Sequence, residues 1–277
     1  MLSVRGDLLI EVIEISTKGD EDKTTPLAEL GTKAVFAHEL QAALHDGRID
    51  VAVHSTKDLT TTEPQGLRLA AFLEREDPRD VLVSRSGQTL AELDGGSVIG
   101  TSSVRREALV RIARPDLRTE PLRGNVDTRL RKVADGVVDA AILAGAGIVR
   151  LGRSDRITEW LDPLTFIPPP GQGAIVLEAR ADEGSWLEGV DHPETRRCVE
   201  AERTVMHLVE GTCEVPLGVW ARPEAGDGHR IVCTGFIAEP DGSAFVTDEV
   251  RGDDPSVVGT ELGRRLLAGR AEGRPLP

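Results

Sequence analysis

Hydrophobic positions along the chain alternate between two periods. LLIEVIEI (8–15) is short and rich in β-branched residues, which predicts a strand. ELGTKAVFAHELQAALHDGRI then repeats apolar residues at helical spacing. DVAVHS (50–55) has the pattern of a short buried strand and ends in polar residues, as a strand feeding a site loop does. LRLAAFLE (67–74) follows a turn at Pro64 and Gly66. After REDPRD, DVLVS and SVIG (97–100) read as strands, SVRREALVRIA as a helix ended by Pro115, and LRTEPLR as a strand. NVDTRLRKVADG reads as a helix capped by Asn125. VDAAILAGAGIVRLG passes from strand into helix. This alternation predicts parallel α/β sheets.

FIPPPGQGAIVLEAR (166–180) is a Pro/Gly crossing followed by a strand, and it can carry the chain back to the first sheet. From about residue 193 the order changes. HPETRRCVEAERTVMHLVEG is helical; VPLGVWAR, HRIVCTGFIAE and AFVTDEVRG are strands joined by turns at GDGH and EPDGS; a last helix spans roughly 255–268. The expected organisation is a discontinuous α/β domain (1–73 and 174–191), a second α/β domain (78–167) and a small C-terminal α+β domain (193–277) with a three-stranded sheet and helices. The 277 residues suffice for two or three separate cores.

Charge narrows the functions. Lys+Arg 33 against Asp+Glu 47 gives a net −14, a field that repels nucleic acid and anionic membranes. Aromatics are 3% with no tyrosine, so stacking platforms for bases are scarce. No apolar run of spanning length is present, and the first residues lack the order of a signal peptide, so a cytoplasmic location is expected. The six histidines show no ligand spacing, and no metal is expected. Cys198, Cys213 and Cys233 should all be thiols. No coiled-coil pattern calls for a partner, and a monomer is expected.

Within the acidic whole, the middle segment is basic. Arg105, Arg106, Arg123, Arg129 and Arg150 recur at the ends of elements beside glycine or serine. VIGTSSVRRE is strand, small loop and helix start, where N–H groups and hydroxyls favour an anion; PLRGNVDTRL repeats that arrangement. Two readings stand: solvated helix faces, or forks that grip a polycarboxylate or phosphate. AVHSTKD places Ser55, Lys57 and Asp58 at the C-terminal end of a strand, the usual ligand crevice of open α/β sheets. That trio is either a surface ion pair or a fixed anion able to stabilise a developing cation. His54 reads as a packed strand residue. Cys198 and Cys233 sit in regular elements as small hydrophobes, whereas Cys213 lies in the loop EGTCEVPLG, where either packing or reactivity is open to it.

Taken together, KGD, TPLAELGTKAVFAHEL, DVAVHSTKDL, EREDPRDVLVS, IGTSSVRRE, LRGNVDTRL, GQGAIVLE and EGTCEVPLG resemble the porphobilinogen deaminase (hydroxymethylbilane synthase) family, in the family's order and over most of the chain. The resemblance implies two periplasmic-binding-protein-like α/β domains with the site in the cleft between them, plus the small third domain. It implies a transferase of tetrapyrrole (haem) biosynthesis. Its partners are porphobilinogen and the growing linear pyrrole chain: four substrate units join head to tail, each losing ammonia. It implies that Cys213 carries a dipyrromethane cofactor through a thioether and that Asp58 binds pyrrole N–H groups and stabilises the azafulvene cation. Ser55 and Lys57 would contact the cofactor. Ser103, Arg105, Arg106, Arg123, Arg129 and Arg150 would hold acetate and propionate side chains, and Gln172 lies in the GQG crossing.

Departures from the pattern set further expectations. Nothing before Leu8 matches the family's R-x-S-x-L-A motif, so the first strand and helix are expected to be missing. Ala34 and His38 replace a glycine and a lysine, and Thr212 and Glu214 flank Cys213 where glycine and glutamine are common. The alternatives to an active transferase are an impaired, truncated homologue and a non-enzymatic α/β protein that binds a small polycarboxylate.

Overall fold

A computed structural model describes residues 9–15, 37–209, 215–242 and 244–271. The chain forms two compact units, 1–75 with 174–197 and 76–173 with 198–277.

In the first unit, helix α1 (His38–His45) precedes strand β1 (Ala52–Ser55), and β2 is Leu67–Phe72. The strand after the crossing, β8 (Ile175–Arg180), inserts between them in the order β1-β8-β2. Both pairings are antiparallel, with Ala52 opposite Glu178 and Leu67 opposite Arg180. Leu44, Ala52 and Leu67 make one apolar cluster, and Ala70, Ala71, Leu177, Ala179 and Leu187 another. The parallel arrangement expected from the alternation therefore does not hold among these strands. The central strand arrives from a distant part of the sequence, and local order does not fix its direction. The strand expected at 8–15 is also absent over its described residues 9–15. Leu9 and Val12 there are 99% and 84% exposed and pair with no described strand. β-branching favours a strand only where a neighbouring ladder and a buried face exist.

The second unit holds β3 (Asp80–Ser84), β4 (Val98–Gly100), β5 (Arg118–Glu120), β6 (Ala140–Ala144) and β7 (Glu159–Trp160), in the order β5-β4-β6-β3-β7. Here β4 pairs parallel with β5 and β6, as the alternation predicts, while β3 runs antiparallel to β6 and β7. Helix α2 (Val104–Ala113) stops before Pro115, and α3 (Val126–Ala134) starts at Asn125, whose side chain accepts from Thr128 N–H at 2.9 Å. Helix α4 (Gly145–Arg150) follows β6 directly.

Helix α5 (Pro193–Val209) leads into β9 (Leu217–Glu224), β10 (Asp227–Ala238) and β11 (Phe245–Gly252), an antiparallel sheet with β10 central, then α6 (Pro255–Ala271). Cys198, Val205, Cys233, Leu262 and Leu266 form the core between this sheet and its helices. Phe236 and Ala238 of β10 instead join the five-stranded sheet's cluster with Leu82, Ile99, Leu109 and Ile167. The C-terminal sheet thereby shares a core cluster with the five-stranded sheet of the same unit, and Phe236 is fully buried. Among the described residues no helix is long and apolar enough to cross a membrane.

Candidate functional site

In the first unit, β1 runs straight into a single turn of 3-10 helix, Thr56–Asp58. Thr56 anchors that turn from below. Its N–H and its hydroxyl both donate to the Ala174 carbonyl, at 3.0 and 3.1 Å, and the residue is buried. Leu59 is buried just beyond. Pinned at both ends, the turn leaves Ser55 and Lys57 half-buried and Asp58 exposed. Behind it, His54 Nε2 lies 2.9 Å from Glu178 Oε2, and the Gln41 amide donates to Glu178 Oε1 at 3.1 Å. His54 and Glu178 are 6% and 1% exposed, so this network stiffens β1 from inside the unit. The result is a carboxylate presented to solvent on a backbone held by buried bonds. His38 is exposed at the start of α1.

In the second unit, the turn between β4 and α2 carries Ser103, the helix cap, whose hydroxyl accepts from Arg106 N–H at 3.4 Å. The next turn of chemistry is inside. Arg105 Nη2 donates to Asp80 Oδ2 at 2.6 Å and Arg106 Nη2 to Asp80 Oδ1 at 2.8 Å. The second terminal nitrogens donate to the Ile167 and Ile142 carbonyls, at 2.7 and 3.0 Å. Gln172, from the crossing, donates to Asp80 Oδ1 at 2.9 Å and to the Pro78 carbonyl at 2.7 Å. Asp80 and Gln172 are fully buried, and Arg105 and Arg106 nearly so.

Burial alone would raise the Asp80 carboxyl, but the charges of Arg105 and Arg106, with hydrogen bonds from Arg106 and Gln172, outweigh it. They hold the group far below the ordinary carboxylate range. Burial pulls the Arg105 guanidinium below its ordinary value; Asp80 opposes this and the like charge of Arg106 adds to it. The two directions agree, because Asp80 faces two cations whereas Arg105 faces one anion and one cation. Two guanidinium groups and one carboxylate leave a net positive charge, and the buried Nε atoms of Arg105 and Arg106 have no hydrogen-bond partner. A cluster short of one anion and two acceptors fits a carboxylate-bearing group.

Arg150, at the end of α4, donates to the Gly173 carbonyl at 2.7 Å, so the crossing that receives Arg105 at Ile167 also receives a second sequence-predicted arginine. Arg123 and Arg129 are half-buried around the start of α3, where Lys132 Nζ donates to the Arg123 carbonyl at 3.1 Å. The structure thus brings Arg105, Arg106 and Gln172 together on Asp80, with Arg150 bonded to the next residue of the crossing, while Arg123 and Arg129 lie around the start of α3. Ser55, Lys57 and Asp58 belong to the other unit. Cys213 lies outside the described residues.

Sequence reasoning assigned no role to Asp80, Glu178 or Glu202. Glu202 of α5 is fully buried and accepts from Gly171 N–H at 2.7 Å and Ala221 N–H at 2.8 Å, tying the crossing to β9. For Asp80 a signal existed: an acid opening the wholly apolar stretch DVLV begins a buried strand and needs cationic partners there.

The sequence matches two family models: porphobilinogen deaminase, dipyromethane cofactor binding domain, over residues 1–188, and porphobilinogen deaminase, C-terminal domain, over residues 196–268. It is 45% identical to the porphobilinogen deaminase of Chromobacterium violaceum over 274 residues, 97% of this chain and 87% of that protein. It is 44% identical to that of Methylobacillus flagellatus, covering 94% of this chain and 84% of the relative. With that of Desulforudis audaxviator it shares 46% identity, over 92% and 83%. Among solved structures, an ABC transporter from Parabacteroides distasonis aligns over 61% of each chain at 16% identity and TM-score 0.38.

Proposed function

We propose how this chain, which belongs to the porphobilinogen deaminase family, divides the family's reaction among its own side chains. The reaction makes hydroxymethylbilane from porphobilinogen, with loss of ammonia, in tetrapyrrole biosynthesis. The dipyrromethane group supplies, when bound, the pyrrole primer on which the chain is built. Cys213 is its anchor; its place in EGTCEVPLG supports this.

Asp58 is the catalytic residue. When porphobilinogen loses ammonia a cation develops on the substrate, and a fixed anion at that point lowers the barrier without having to reorganise. The buried bonds of Thr56 hold Asp58 ready for this, while the carboxylate itself stays exposed. Its oxygens also accept substrate N–H groups. Ser55 and Lys57, on the same turn, bind the primer. Arg105, Arg106, Arg123, Arg129, Arg150, Ser103 and Gln172 form the grip on acidic side chains. Ser103 places the start of α2 and Gln172 holds Asp80. The observation that carries this reading is the buried Arg105–Asp80–Arg106 cluster, which keeps one positive charge and two orphan donors.

The three-domain boundaries expected from the sequence remain our assignment, supported by three separate sheets. A cytoplasmic monomer that binds neither nucleic acid nor membrane is also our reading, supported by the net charge of −14.

Asp58→Asn tests the assignment of the reaction. Folding and the bound primer should be retained, with turnover of porphobilinogen reduced roughly a hundredfold or more. Wild-type turnover would remove Asp58 from the mechanism.

A further inference from the structure

Neighbouring residues on a helix point about 100° apart, so two successive arginines ordinarily reach different partners. Arg105 and Arg106 converge because each carboxylate oxygen of Asp80 takes one of them. Each guanidinium is held at a second point by a backbone carbonyl, that of Ile167 or Ile142. Two fixed points define the plane of each fork. Gln172 holds the carboxylate itself from the crossing. A second acid would cancel the cluster's charge, and an apolar residue would leave two buried cations facing each other unscreened. One acid alone gives both alignment and a residual charge.

We propose that Asp80 is a positioning residue for carboxylate recognition: it sets the planes of the Arg105 and Arg106 guanidinium groups and leaves the cluster one positive charge to offer an acidic pyrrole side chain. This rests on the reading of the two arginines as the grip on such side chains.

The test uses the full holoprotein as wild type, Asp80→Asn, Arg105→Gln and the double variant. Four quantities are measured: KM for porphobilinogen, kcat per loaded molecule, the loaded fraction from intact mass, and the melting-temperature rise given by saturating porphobilinogen. Asp80→Asn should raise KM about tenfold, equivalent to about 1.4 kcal/mol. It should lower the loaded fraction and shrink the substrate-induced rise in melting temperature, while kcat per loaded molecule changes less than KM. The double variant should be no worse than Arg105→Gln, since both changes break one unit. A lowered melting temperature with wild-type KM and an unchanged substrate-induced rise would mean that Asp80 only supports the fold, and would overturn the proposal. If Arg105→Gln raises KM and Asp80→Asn does not, only the role of Asp80 fails. If Arg105→Gln leaves KM unchanged, the arginine reading fails and takes Asp80 with it. Should Asp80→Asn not fold, Gln172→Leu removes the carboxylate's third donor without stranding a charge. It should raise KM about threefold, about 0.7 kcal/mol, and an unchanged KM would count against the proposal.

Discussion

Gly173→Ala tests how tightly the crossing is built. Gly173 has φ +85°, and a Cβ placed there would overlap the Glu76 carbonyl oxygen and lie 3.3 Å from Pro78 Cα. Both obstacles are backbone, so neither can rotate away. Glu76 N–H already donates to the Gly173 carbonyl at 3.2 Å, and Arg150 donates to the same oxygen at 2.7 Å. Relief therefore requires the two segments to part, weakening both bonds. The left-handed conformation costs a non-glycine residue about 1–2 kcal/mol, and forced overpacking adds about 1–3 kcal/mol. The sum is about 2–5 kcal/mol, which at about 3 °C per kcal/mol for a body of this size lowers the melting temperature by about 6–15 °C. Gly87→Ala is the internal control. Gly87 has φ +77° but nothing within 4 Å of a new Cβ, so only the conformational cost applies, about 3–6 °C. Thermal melts of the two variants beside wild type decide the matter. Equal drops would show that the backbone collision is relieved without cost and that the crossing is not rigidly seated.

Asp80 also predicts a pH dependence. Its folded-state pKa lies below the unfolded value of about 3.9, so its ionised form stabilises the fold fully above about pH 4, and that stability is lost as pH falls through the lower, folded-state value. The melting-temperature gap between wild type and Asp80→Asn should be constant at neutral pH and narrow on acidification below about pH 4; a gap unchanged at low pH would contradict the pairing. Glu202→Gln turns one of two buried acceptors into a donor facing a backbone N–H, and should cost about 2–4 kcal/mol, read from denaturant unfolding. Asn125→Ala removes the cap of α3 and should cost about 1 kcal/mol by the same assay, without changing the β4–α2 turn.

The parts of the fold legible in the sequence are those governed by neighbours in the chain. Helix α3 and its Asn125 cap, the end of α2 before Pro115, the β6-to-α4 passage and the three C-terminal strands all follow from spacing and turn chemistry. What escaped is non-local. The two residues of β7 are too few to show a period. The directions of β3 and β8 depend on partners far away in sequence. The segment 9–15 has a strand's composition but no described ladder to join. The candidate site divides in the same way. Asp58, Lys57 and the arginines stand out because they cluster at the turns and ends of elements beside small residues. Glu178 and Glu202 do not, because an acid in a sequence is by default an exposed residue and only the folded partners show otherwise, and Asp80 shows only as an acid set against an apolar run, with no sign of its partners. The convergence of Arg105 and Arg106 on one carboxylate could not be read from adjacent letters in a helix.

The most direct measurement of the central claim is the intact mass of the native protein, taken beside Cys213→Ser, after expression in a host that makes porphobilinogen. The account predicts that wild type carries the additional mass of two linked pyrrole rings and that Cys213→Ser carries none. An unmodified wild-type chain, or the same added mass in Cys213→Ser, would contradict it.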